Sequence, residues 1–99
     1  PDVNDDTTRA AIQRMTTLLT QLAECRITHG DMKGTNFIQT PKGIAVIDLD
    51  AMREHDSEAG FHAAQQRDLQ RFMRNWQPCP AIDALFRASL QEQPRVTTP

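Results

Sequence analysis

The chain carries no apolar run approaching the ~18 residues that a bilayer span needs, so no transmembrane helix is expected. Its first residues, PDVNDDTTR, are acidic and polar and show no secretory signal pattern. An initiating Met is also lacking, so the chain is expected to be a piece of a longer protein. Cysteine is scarce. Cys25 and Cys79 lie far apart and form neither a CxxC pair nor a dense framework, which favours reduced thiols in a cytosolic protein over a disulfide scaffold. Cys25 has no local signature of a nucleophile. His29, His55 and His62 have no zinc-site spacing. Positive charge is not in excess. A formal net charge of -2 argues against a general nucleic-acid or anionic-membrane binder. No internal repeat or low-complexity tract is present.

What remains is one small α+β domain, mostly helical, expected over residues 1–99 with its core at about 7–90. A chain of this size buries about 60–70% of its unfolded surface, enough for one modest core. Asp5 or Asp6 can cap a helix from Thr7 to about Cys25. Its apolar residues, Ala11, Ile12, Met15, Leu18, Leu19 and Leu22, recur at spacings of three and four and predict one buried stripe. The PKG at 41–43 reads as a turn between strands near Phe37–Gln39 and Ile44–Ile47. Residues 51–60 are polar and predict a loop. Helical spacing returns from Phe61 to Trp76, and QPCP stops it because proline cannot continue a helix. A last short helix is expected at about Ala81–Leu90, followed by a frayed tail. The hairpin and the Phe61–Trp76 helix are expected to cover the first helix's stripe.

The loop THGDMKGTN places His29, Asp31, Lys33 and Asn36 within nine positions, and VIDLD then places Asp48 behind an apolar strand. Transfer of a phosphoryl group from a nucleotide asks for such a set. It needs a carboxylate that orients an attacking hydroxyl and takes its proton. It needs oxygen ligands for Mg²⁺ and positive charge near the moving oxygens. Asp31 fits the first role, Asn36 and Asp48 the second, and Lys33 the third. His29 fits a structural role, packing under the loop. Asp50 is either a second metal ligand or a cap on the following loop.

HGDMKGTN has the H-x-D-x-x-x-x-N spacing of the kinase catalytic loop, and IDLD stands where the kinase D-F-G segment would stand. With Gly30 in place of Arg, the loop looks like that of kinase-like small-molecule phosphotransferases. THGDMKGTNFIQTPKGIAVIDLDAMR followed by RDLQRFMRNW resembles the bacterial lipopolysaccharide kinases, over about residues 8–78. The resemblance implies a protein-kinase-like C-terminal lobe ordered as helix, catalytic loop, hairpin and two helices. It implies an ATP- and Mg²⁺-dependent enzyme that phosphorylates a core sugar such as heptose or 3-deoxy-manno-octulosonic acid (Kdo). Asp31 then matches the catalytic Asp, Asn36 and Asp48 the metal ligands, and Asp68 a helix residue that hydrogen-bonds the loop from beneath. A cytoplasmic location with peripheral contact at the inner membrane follows from the same resemblance.

The pattern departs from the family in two places. Asp50 stands where D-F-G has its Gly, which argues against a D-F-G-type switch. The sequence also shows no Gly-rich phosphate loop and no strand Lys paired with a helix Glu, so the N-terminal nucleotide-binding lobe is expected to be missing. Weak activity of the isolated chain is the consequence. The face meant for that lobe is expected to be exposed and to favour self-association. The alternatives are an inactive kinase-like fragment or pseudokinase module, and a small-molecule phosphotransferase of the aminoglycoside or choline kinase type. Asp31, Asn36 and Asp48 occurring together favours the enzyme, since a remnant has no chemical need of all three. Arg67, Arg71 and Arg74 form a stripe that is either a solvated helix face or a contact for an acidic substrate.

Overall fold

Asp5 opens the first helix by accepting the Thr7 N–H at 2.8 Å, and Asp6 places a further negative charge in the first turn. The helix, α1, runs Asp6–Glu24 in the computed structural model, which describes residues 5–96. It buries Ile12, Met15, Thr16, Leu19 and Ala23. Thr16 is a polar member of an apolar stripe, and both of its hydroxyl roles are used: it donates to Ile12 O and accepts from Ser89, each at 2.9 Å. Residues 1–4 of the expected lead-in lie outside the described residues. Arg26, at φ 55, turns the chain out of α1.

Two small antiparallel sheets follow. In the first, β1 (Ile27–Thr28) pairs with β4 (Arg53–Glu54), Ile27 opposite Glu54 and Thr28 opposite Arg53. Residues 51–60 are thus not loop throughout. The ladder is held by context: His55 N donates to Arg26 O at 2.9 Å, and the buried His55 ring meets the Thr28 hydroxyl at 2.8 Å. In the second sheet, a 3-10 turn at Gly34–Asn36 leads into β2 (Phe37–Thr40), which pairs with β3 (Gly43–Val46) in the register Phe37 to Val46. The hairpin stands where PKG placed it. β3 ends one residue early because the next pair is only half made: Ile47 N still donates to Asn36 O at 2.9 Å, but Asn36 N turns to Lys33 O at 3.0 Å and Ile47 O is taken by the His29 ring.

Helix α2, Glu58–Arg74, begins earlier than Phe61 because Ser57 caps it, accepting from Gly60 N at 3.1 Å. Gly60, expected to close a loop, lies in its first turn. α2 buries Phe61, Ala64, Gln65, Asp68, Leu69, Phe72 and Met73, and it ends at Arg74, two residues sooner than expected, with Asn75 as its C-cap. Helix α3, Pro80–Gln91, starts with proline, whose missing N–H costs nothing at that position.

The core lies where the three helices and the hairpin converge. Phe72 sits at its centre, edge-on to Phe37 at 5.6 Å, Trp76 at 5.8 Å and Phe86 at 5.0 Å, tying α2 to β2 and α3. α1 lies mainly against α3, β1 and β3, while α2 joins it near Leu19 and Ala23 through Leu69, so α3 shares the covering place expected of α2. The tail is not frayed as far as Val96, which is buried. Arg95 donates to Glu58 and to Ala23 O at the end of α1 and lies 5.9 Å over the Phe61 ring, while its carbonyl accepts from Gln65. Among the described residues, no helix is long and apolar enough to cross a membrane.

Candidate functional site

α2 holds the 29–36 loop at two points on one of its faces. Asp68 is 6% exposed, and its two oxygens accept the backbone N–H groups of His29 at 2.7 Å and Gly30 at 2.9 Å. Burial pushes the Asp68 carboxyl above the ordinary carboxylate range, and the two N–H bonds pull it back. Asn75 comes seven residues later, two turns on and so on the same face. Its amide donates to Met32 O and its oxygen accepts from Gly34 N, both at 2.9 Å. Sequence reasoning missed Asn75. The available signal was its position: a polar residue at i+7 from Asp68, amid Phe72, Met73 and Trp76.

The loop is tied just as closely to the strand that follows it. His29 is fully buried. Its Nε2 meets Ile47 O at 2.9 Å, and its Nδ1 accepts from Asp31 N at 3.2 Å, so the proton belongs on Nε2. Both backbone groups of Ile47 are therefore taken, the carbonyl by His29 and the N–H by Asn36 O. Asp48 follows at φ 60, a left-handed conformation uncommon outside glycine. Gly30, at φ 92, has no room for a side chain: a Cβ there would sit 2.7 Å from the Ala51 Cβ. The Gly that sets this loop apart from H-x-D loops with Arg is thus required by the backbone and by its neighbour.

Three of the sequence-derived residues meet directly. Asn36 is buried, and its amide donates to Asp31 O at 2.8 Å and approaches Asp31 Oδ2 at 3.4 Å. The Lys33 ammonium lies 3.6 Å from the same Oδ2, in a half-exposed pair. Asp48 is brought near only through its chain neighbour Ile47. Its carboxylate is exposed and makes no hydrogen bond or ion pair among the described residues. Asp50 lies in a turn closed by Met52 N to Leu49 O at 3.1 Å, and its side chain caps nothing among the described residues. The exposed large hydrophobics are Ile38, Ile47 and Leu49, all on the hairpin and the segment beyond it.

The donor set suits Mg²⁺. Asn36 spends its amide hydrogens on Asp31 and leaves Oδ1 without a hydrogen bond among the described residues, and Asp48 offers a free carboxylate. No three His, Cys, Asp or Glu side chains gather as a cage among the described residues. Mg²⁺ typically takes one or two protein oxygens and completes its shell with water and phosphate, so a cage is not required. No family model matches the chain, and neither curated proteins nor solved structures offer a match.

Proposed function

We propose that the chain is the catalytic lobe of an ATP-dependent phosphotransferase that phosphorylates a sugar hydroxyl of lipopolysaccharide core, Kdo or heptose. The observation that carries this reading is the double bracing of one loop. Asp68 and Asn75 fix it from beneath, and His29, Asn36 and Ile47 lock it to the segment bearing Asp48. Much of the rate of phosphoryl transfer comes from positioning and fixed charge, and a loop held this way supplies both. The Asp31 carboxylate accepts the acceptor's hydroxyl hydrogen, orients the oxygen and takes the proton as the oxygen bonds to the γ-phosphorus of ATP and the bond from that phosphorus to the β-phosphate oxygen breaks, releasing ADP. Lys33, 3.6 Å from the Asp31 carboxylate, is placed to meet a phosphate oxygen. Asn36 Oδ1 and the Asp48 carboxylate would hold Mg²⁺, which when bound neutralises charge on the nucleotide phosphates. The acceptor's identity rests on the resemblance of the wider stretch. The same loop serves a small-molecule phosphotransferase of the aminoglycoside or choline kinase type.

A second reading, a kinase-like module without turnover, has its own support. The Asn36 amide nitrogen and both Asp68 oxygens hold the loop, so folding alone accounts for the presence of both residues. Calorimetry of ATP binding at several Mg²⁺ concentrations separates the two readings. The enzyme reading expects binding that needs Mg²⁺ and is lost in Asp48→Asn, a change at an exposed side chain that leaves the fold intact. A folded chain that binds no nucleotide with Mg²⁺ present overturns it in favour of the inert module.

A further inference from the structure

A cavity of about 190 Å³ opens behind the loop, between α2 and the β1–β4 ladder. Its lining includes Gly30, Arg53, His55, Arg67, Asp68 and Arg71. Three arginines from two elements therefore line one cavity, with Arg67 and Arg71 four residues apart and so neighbours on one helix face. Asp68 is the one acid in the lining, and both its oxygens are engaged by the N–H groups of His29 and Gly30. Arg53 and Arg67 have no hydrogen bond or ion pair from their side chains among the described residues. Arg71 donates through one nitrogen to Asn75 and keeps its remaining donors. Like charges one turn apart destabilise a helix by a few tenths of a kcal/mol, and neither guanidinium pairs with an acid among the described residues. Arg74, the third member of the sequence stripe, lines a different groove with Gln70, Met73, Gln77 and Arg87.

We propose that this cavity is an oxyanion site that takes a phosphate group carried on the acceptor. Guanidinium presents paired N–H donors that match phosphate geometry. The cavity is smaller than the ~300 Å³ typical of pockets for drug-sized ligands, and with three arginines in its lining it suits a small anionic group. Gly30 lies in its wall and Asp31, outside the lining, is the next residue along the loop, so an acceptor that extends from an anchored phosphate round the loop reaches the Asp31 carboxylate. This last step rests on the phosphotransferase reading; the oxyanion site itself does not.

The test is a titration with inorganic phosphate followed by amide chemical shifts, with no nucleotide present. We expect saturable shifts at Gly30, Arg53, His55, Arg67 and Arg71. We expect affinity to fall about tenfold or more in the Arg53→Gln, Arg67→Gln double variant and to stay unchanged in Arg74→Gln. The single variant Arg67→Lys, which keeps the charge and loses the fork, should fall between them and serves if the double variant does not fold. Shifts that do not saturate, or a folded double variant that binds as wild type does, overturn the site. A hexose phosphate then tests the source. Tighter binding than inorganic phosphate supports an acceptor-borne group, and equal binding assigns the site to free phosphate and overturns the acceptor clause. Phosphate binding that persists when Mg²⁺-dependent ATP binding fails leaves the oxyanion site standing without the kinase reading.

Discussion

Replacing Asp68 with Ala isolates the bracing of the loop. The substitution removes the acceptors of two backbone N–H groups. His29 is fully buried, so no water replaces its partner, and an orphaned buried donor costs about 1–3 kcal/mol. Gly30 is an exposed residue, and water recovers part of its bond, leaving a loss of about 0.5–1 kcal/mol. Against these stands the relief of a desolvated carboxylate, whose upward-shifted proton affinity shows that burial is unfavourable to its charge. The net expectation is a loss of about 2 kcal/mol, with the His29 N–H as the dominant part. For a domain of this size, that lowers the melting temperature by about 8–16 °C. The assay is thermal unfolding by circular dichroism, with the exposed Gln70→Ala on the same helix as control, expected within about 0.5 kcal/mol of wild type. Hydrogen exchange adds a local readout, because the His29 amide should lose protection more than amides of α3. If Asp68→Ala melts with the control and His29 stays protected, the loop is held by something else and the bracing argument fails.

Asp68 also sets a pH dependence. A carboxyl raised above its ordinary value takes its proton more readily folded than unfolded, so its contribution to stability falls as pH rises from the usual Asp range through its folded-state value. Urea midpoints from about pH 4 to pH 7 should show that fall in wild type and not in Asp68→Asn; parallel profiles would contradict it. Gly30→Ala should cost about 1–3 kcal/mol by thermal melt, from the φ of 92 and the clash with Ala51. Adding Ala51→Gly should recover part of the loss but not all, since the backbone strain remains. Asn75→Ala should cost about 1–2 kcal/mol and raise hydrogen exchange at Gly34, whose N–H it leaves unpaired; unaltered exchange there would refute the second brace. Asp48→Asn should leave the melting temperature within about 2 °C of wild type, because the carboxylate is exposed and has no partner to lose.

Helices announced themselves through spacing. α1 and α2 appear where residues recur at three and four, and the hairpin where a turn separates two β-forming runs. The β1–β4 ladder was not legible because two residues are too few to alternate, and their pairing spans a stretch that reads as polar loop. The docking of Arg95 and Val96 was hidden for a related reason: it depends on Glu58, Ala23 and Phe61, which only the fold brings to the tail. At the site, a motif read along the chain gathered Asp31, Lys33 and Asn36, because a nine-residue loop must keep them close. Asn75 escaped because its partners in the loop are more than forty residues away.

Asn36 and Asp68 each hold the loop in shape, and this changes what the motif can report about ancestry. A lineage that gave up catalysis would still be selected to keep both, as it would Gly30 and Asn75, since losing any of them loosens the fold. The mere presence of Asn36 therefore does not separate the enzyme from the inert module; its free Oδ1 matters only if it holds a metal. Asp48 and Lys33, together with the carboxylate of Asp31, stabilise little at this surface and are free to drift once turnover is not required. Among descendants of this chain, a retired copy would show change first at positions 31, 33 and 48, with 30, 36, 68 and 75 standing still around them.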